Sequence, residues 1–150
     1  MTPSETRPDV LLVEDSEHDA ELTLRALRRQ QPHGRVVWVR DGAEAIEALF
    51  GHDLASNAPL VIDPRVVLLD IKMPRVDGHQ VLERIKGDVR SRHIPVVIMS
   101  SSRVEQDVAR SLDTGANSYI VKPVNYDAFT DTVQQVGSYW LRLNQPSEAV

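Results

Sequence analysis

Five short apolar runs recur along the chain: Asp9 to Val13, Val36 to Val39, Val66 to Leu69, Val96 to Met99 and Tyr119 to Val121. A continuous apolar run without polar alternation reads as a strand buried on both faces, the habit of a parallel sheet. Between the runs, apolar residues return every three or four positions, the spacing of one helix face. The five such sets are Ala20, Leu24 and Leu27; Ala45, Ile46 and Leu49; Val81, Leu82 and Ile85; Val104, Val108 and Leu112; and Phe129, Val133, Val136, Trp140 and Leu143. The punctuation agrees. Ser16 with Asp19 resembles a capping box for the first helix, Asp41-Gly42 and Asp77-Gly78 open the next two, and Gly115 closes the fourth. Pro74 turns the chain after the third run, and Pro95 suits the first position of the fourth strand.

Five strands alternating with five helices predict repeated βα units around a parallel sheet. Right-handed crossovers leave few arrangements, and the doubly wound, flavodoxin-like order 2-1-3-4-5 is the natural one. One domain over residues 9–143 is expected, with a flexible N-terminus over 1–8, a flexible tail over 144–150 and no output domain. Gly51 to Pro64 holds three aperiodic turn signals and reads as a surface loop, long for such a domain.

Composition narrows the function. The absence of cysteine removes disulfide and thiolate chemistry and fits a reducing cytoplasm. A net charge of -5 argues against nucleic acid or an anionic membrane as partner. Residues Met1 to Pro8 carry no apolar signal core, and the apolar runs are too short to span a bilayer.

In the order 2-1-3-4-5, strands one and three are neighbours at the point where the topology reverses, and ligands bind at the carboxyl ends there. Those ends deliver Glu14, Asp15 and Asp70 to one crevice. Three carboxylates in one place repel. They call for a hard cation with oxygen ligands, and Mg²⁺ fits a site of one or two carboxylates, waters and a phosphate. Lys122, ending the fifth strand, is placed for a phosphoryl oxygen, and Ser100, ending the fourth, offers a hydroxyl. Each residue has a plainer use: a Glu-Asp pair often caps a helix, a Lys before Pro is often solvated, and a serine run is often a loop. Their joint arrival at the crevice argues against four separate plain uses.

The segments Val13-Glu14-Asp15, Leu69-Asp70-Ile71-Lys72-Met73-Pro74, Met99-Ser100-Ser101 and Tyr119-Ile120-Val121-Lys122-Pro123 together resemble the receiver domain of two-component response regulators. The resemblance spans about Asp9 to Leu143. It implies a phosphorelay protein that accepts a phosphoryl group from a histidine kinase on Asp70, assisting its own modification without being a turnover enzyme. It implies Asp15 as a direct Mg²⁺ ligand, Glu14 acting through water, and the backbone carbonyl of Lys72 completing the metal site. Ser100 would be the switch hydroxyl, Tyr119 the switch aromatic, Lys122 the phosphoryl contact, and the Lys122–Pro123 bond cis. Within the family, the Glu-Asp pair, Ile120 to Val124 and the Tyr139-Trp140-Leu141 ending look like the small regulators paired with bacterial and cyanobacterial phytochromes. Lys72 and Ser102 depart from the commonest pattern and border the route of an attacking water.

Other readings fare worse. An FMN binder of the same fold needs a hydroxyl- and glycine-rich loop after the first strand, and Glu14-Asp15-Ser16-Glu17 would repel phosphate. An aspartyl phosphatase wants a second Asp two residues on, where Lys72 stands. No Walker loop, dinucleotide fingerprint or zinc motif occurs. The last helix adds an assembly expectation. Its stripe is about four turns long and would overrun a short sheet, leaving Trp140 and Leu143 as a contact surface. That predicts a two-fold homodimer through the last helix, the fourth helix and the fifth strand; the alternative is a stripe folded back on its own chain.

Overall fold

Every apolar run forms a strand and every helical stretch a helix. The order is β1 (Val10–Val13), α1 (Glu17–Gln30), β2 (Val36–Val39), α2 (Gly42–Phe50), β3 (Val66–Leu69), α3 (Gly78–Gly87), β4 (Val96–Ser100), α4 (Glu105–Thr114), β5 (Ser118–Val121) and α5 (Tyr126–Ser138). A π-helical turn, Tyr139–Leu143, follows. The structure, a computed structural model, describes residues 7–52, 58–73 and 76–146. Pro74, most of the N-terminal stretch, part of the 51–64 loop and residues 147–150 of the tail lie outside them.

The sheet is parallel throughout, in the order β2-β1-β3-β4-β5. Val13 stands opposite both Val39 and Leu69, so β1 and β3 end level with each other. The three inner strands are buried at every residue, whereas the edge strands β2 and β5 are half-buried throughout. Alternate residues feed two cores. On one face Leu11, Val67, Leu69 and Ile98 meet α2 and α3 through Leu49, Leu82 and Ile85. On the other, Leu12, Leu68, Val97 and Met99 meet α1 and α5 through Ala20, Leu27, Phe129 and Val133. Each large side chain so buried stabilises by about 1.5–3 kcal/mol relative to exposure. Ahead of β1, Pro8 is buried and its carbonyl accepts from Arg65 N at 3.2 Å, so packed structure begins just before the expected boundary.

Three local expectations fail for physical reasons. The α4 stripe is not a core face: Val104 and Leu112 are 53% and 47% exposed, and Ser111 is the one buried residue of that helix. Helix α4 lies against α3 and β5 at the sheet edge, where half-buried β5 offers little cover. At the chain's other end the continuous α-helical stripe stops at Ser138, and the wider turn that follows buries Leu141, outside that stripe, while Leu143 stays 74% exposed as expected. Trp140 is half-buried against the α1/α5 core. The Lys122–Pro123 bond is trans, the isomer that even a proline amide prefers by ~0.5–1 kcal/mol.

The long loop is fastened rather than free where it is described. Val61 N donates to Leu49 O at 2.8 Å, Arg90 Nη1 donates to Ala58 O at 2.8 Å, and His93 Nε2 meets Asp63 Oδ1 at 3.0 Å. Arg90 shares Asp88 with Arg84, and both guanidinium groups lie over the Phe50 ring, at 5.2 and 3.9 Å.

Candidate functional site

The backbone ladder carries the site residues to one crevice. Glu14 N donates to Val39 O, Asp70 N to Val13 O and Lys122 N to Ser100 O, each at 2.8–3.1 Å, so each residue is the first past its strand and still tied to the neighbouring one. Gly78 lets α3 start against the end of β3: a Cβ there would stand 2.4 Å from the Asp70 carbonyl oxygen and from Ile71 Cα. No other residue type fits so close an approach.

Oxygens of Glu14, Asp15 and Asp70 lie within 4.8 Å of one another. Glu14 and Asp70 are only 3% and 9% exposed, while Asp15 faces solvent. Lys122 reaches into this group, donating from Nζ to Glu14 Oε1, to Asp70 Oδ2 at 3.1 Å and to Asp19 Oδ2 at 2.9 Å. The other Asp70 oxygen accepts from Lys72 N at 3.0 Å. Burial pushes the Glu14 carboxyl up to about 8, although Lys122 pulls the other way. Burial would lower the Lys122 ammonium, but the Asp70 and Glu14 carboxylates outweigh it and raise the group above its ordinary value. The two shifts have different leading causes: burial disfavours the charged Glu14 carboxyl, whereas three carboxylates around the one ammonium hold Lys122 charged.

Ser100 is fully buried, and its Oγ accepts from Ser102 N at 3.2 Å. Tyr119, half-buried, donates its hydroxyl to Ser102 O at 3.0 Å. Ser102 Oγ in turn donates to Asp107 Oδ2 at 2.7 Å, and Lys72 Nζ pairs with that same oxygen at 3.3 Å. The Lys72 side chain is therefore drawn towards α4. The Ser102 hydroxyl, aided by Lys72 and His79, holds the Asp107 carboxyl below its usual range.

All seven residues singled out in the sequence (Glu14, Asp15, Asp70, Lys72, Ser100, Tyr119 and Lys122) border this crevice or the loop beside it. Two acids were missed. The sequence gives Asp19 the far half of a capping box; its N–H does donate to Ser16 Oγ at 3.2 Å, but its carboxylate turns to Lys122. The available signal is position alone: Asp19 lies in the first turn of the helix that begins just after Glu14 and Asp15. Asp107 lies five residues past its Ser102 partner, but Lys72 and His79 reach it from the β3–α3 segment, which no pattern around Asp107 signals. His79, 6% exposed with both ring nitrogens lacking a hydrogen-bond partner among the described residues, sits 3.6 Å from Asp107 and was likewise missed.

Residues 10–134 match the model of the response regulator receiver domain. This chain belongs to the receiver family. Receivers are signalling proteins of two-component systems and are phosphorylated on an aspartate. A probable methanogenesis regulatory protein, FilR2 of Methanothrix harundinacea, is 40% identical over 136 residues, spanning 91% of this chain and 85% of its own. The crystal structure of the phosphorylated cyanobacterial phytochrome response regulator RcpA superposes with a TM-score of 0.84 at 34% identity, covering 95% of this receiver and 99% of that chain. The Mn²⁺-bound form of response regulator Rcp1 gives 0.82 at 32%, covering 94% and 100%. Among the described residues no helix is long and apolar enough to cross a membrane.

Proposed function

We propose that Asp70 is the phosphoacceptor of this receiver. The observation that carries the reading is the Asp70 carboxylate itself: it ends the central strand, pairs with Lys122 at 3.1 Å and accepts the Lys72 N–H at 3.0 Å. An Asp70 oxygen attacks the phosphorus of a phosphohistidine. The new P–O bond forms as the P–N bond breaks, and the electron pair leaves with the imidazole, which takes up a proton. Such transfer asks the protein mainly for positioning and charge neutralisation. Lys122 supplies a buried ammonium for the phosphoryl oxygens.

The donor set fits a divalent cation: hard carboxylate oxygens of Glu14, Asp15 and Asp70 lie within 4.8 Å of one another in one crevice. Asp15 would bind Mg²⁺ directly, Glu14 through water, with Asp70 and the Lys72 carbonyl completing the set. The ion, when bound, neutralises phosphoryl oxygens. Ser100 and Tyr119 are the switch pair. Both now hold the Ser102 backbone, so a Ser100 hydroxyl drawn to the phosphoryl group releases Ser102 N, and Tyr119 repacks with the loop.

The partner is a histidine kinase in the cytoplasm, a phytochrome by likeness to RcpA, and the protein is a signalling switch, not a turnover enzyme. The receiver unit runs over 9–143. It assembles as a homodimer on the α4–β5–α5 face, where Tyr139, Trp140, Ile120 and Val136 line a groove of about 420 Å³ and Val104 and Leu112 stand exposed. Light scattering during size exclusion at tens of micromolar, with and without phosphodonor, tests this. A wild type that stays monomeric in both, or a Trp140→Ala variant that dimerises equally well, sinks it.

The central test is phosphorylation by acetyl phosphate with Mg²⁺, read by intact mass. The wild type gains one phosphoryl group and Asp70→Asn gains none while keeping its circular dichroism spectrum. A phosphorylated Asp70→Asn would overturn the assignment. Calorimetric Mg²⁺ titration should show a larger loss for Asp15→Ala than for Glu14→Ala; equal losses would refute their separate roles.

A further inference from the structure

An ammonium has three N–H donors, and Lys122 directs its contacts at three separate carboxylates: Glu14, Asp70 and Asp19. If the phosphoacceptor reading above holds, two of the three have other work. Glu14 belongs to the cation's donor set, and the Asp70 oxygen facing Lys122 is the one whose lone pairs serve transfer. Asp19 has neither assignment.

Its placement suits a fixed anchor. Asp19 stands in the first turn of α1, where its N–H donates to Ser16 Oγ at 3.2 Å and its carbonyl accepts from Thr23 Oγ1 at 2.8 Å. The backbone is thus tied on both sides, and Thr23 is itself buried. The carboxylate lies at the rim, 29% exposed, on the wall of a surface cavity of about 280 Å³ that opens beside Lys122 and is also lined by His18, Ser101 and Tyr126. Pairs between exposed groups contribute little, but the Lys122 side chain is only 10% exposed, so this contact is not of that kind.

We propose that Asp19 is a positioning residue for phosphoryl transfer. It holds the Lys122 ammonium at the rim of the crevice, within reach of incoming phosphoryl oxygens. Without it, Lys122 keeps only Glu14 and Asp70 as partners and closes over the carboxylates that a cation and a phosphoryl group need.

The test uses acetyl phosphate and Mg²⁺ as probes. Asp19→Ala should be phosphorylated about tenfold more slowly and bind Mg²⁺ about fivefold more weakly, the scale of one charge contact in a partly buried site. Asp19→Asn keeps an amide oxygen that accepts from the ammonium and should recover much of the phosphorylation rate; it also guards against a misfolded alanine variant. Calorimetric Mg²⁺ affinity is then compared in a Lys122→Met background, where adding Asp19→Ala should change it by less than about twofold, because the anchor acts through Lys122. Phosphorylation of both Asp19 variants at the wild-type rate overturns the proposal. So does an equal loss of Mg²⁺ affinity with and without Lys122, which would make Asp19 a bulk charge. A wild type that neither binds Mg²⁺ nor takes a phosphoryl group overturns the underlying reading, and the anchor role with it.

Discussion

The inner strands β1, β3 and β4 and the β5–α4 edge end at the same crevice but are built differently. On the first, β1 and β3 are buried at every residue, and α1 alone sinks five residues into the core. On the second, β5 is half-buried at every position, and α4 sinks one. The acids Glu14 and Asp70 stand on the rigid flank, whereas Tyr119 and the Ser102 loop stand on the loosely covered one. Local stability varies across a fold with buried apolar contact. Chemistry that needs fixed oxygens occupies the stiff part, and the part that must answer is held chiefly by a few hydrogen bonds.

That contrast is open to direct attack. Ile98, fully buried in β4 where it meets the α2/α3 core, should cost about 2–5 kcal/mol when cut to alanine, measured by urea unfolding. A cost below that range would mean the core is not set by the inner strands. Gly78→Ala comes next, at about 1–3 kcal/mol. The added methyl meets the Asp70 carbonyl and Ile71 backbone, so the same variant should lose phosphorylation; normal phosphorylation together with normal stability would show that α3 can retreat.

A third, similar or smaller effect concerns Asp88, which closes α3 on the stiff side. Hydrogen bonds from Arg90, and from Arg84, hold its carboxyl well below the usual carboxylate range. A carboxyl depressed on folding contributes stability above its unfolded value, near pH 3.9, and loses it as pH falls towards the folded value. Asp88→Asn should therefore cost about 1–2 kcal/mol at pH 7 and progressively less below about pH 4. Melting curves of the two proteins at pH 7 and pH 3 check the sign, and a gap that widens in acid refutes it. The smallest effect belongs to the loose flank. Leu112→Ala should change stability by less than about 0.5 kcal/mol, although it removes a large side chain from a helix that the sequence reads as amphipathic.

Leu112 also shows what the sequence could and could not say. Strand number, order and the carboxyl-end residues were legible because burial on both faces leaves long apolar runs, and because a parallel sheet aims its strand ends one way. Which helix face is covered was not, since Val104, Val108 and Leu112 have ideal spacing whether or not anything lies beneath them. The turn at Tyr139–Leu143 was invisible for a related reason: a one-residue widening turns Leu141, which lies outside the helical stripe, into the core without any change in composition. At the site, residues at strand ends were found and residues acting across segments were not. Asp107 gathers nearby Ser102 with Lys72 and His79 from the β3–α3 segment, and only the folded molecule brings the two segments together.

The two tryptophans happen to divide the molecule's two tasks between them. Trp38, on edge strand β2, donates its indole N–H to the Glu14 carbonyl at 2.9 Å and lies under the Arg40 guanidinium at 4.5 Å. Trp140 stands edge-on to Tyr139, with ring centroids 4.9 Å apart, beside strand β5 at the opposite edge of the sheet. With no third indole in the sequence, replacing either one by phenylalanine leaves a single intrinsic fluorophore. One such variant would report on events in the acid crevice and the other on whatever meets the far edge. Charging of the site and engagement of the surface could then be timed independently in the same solution, without an attached dye.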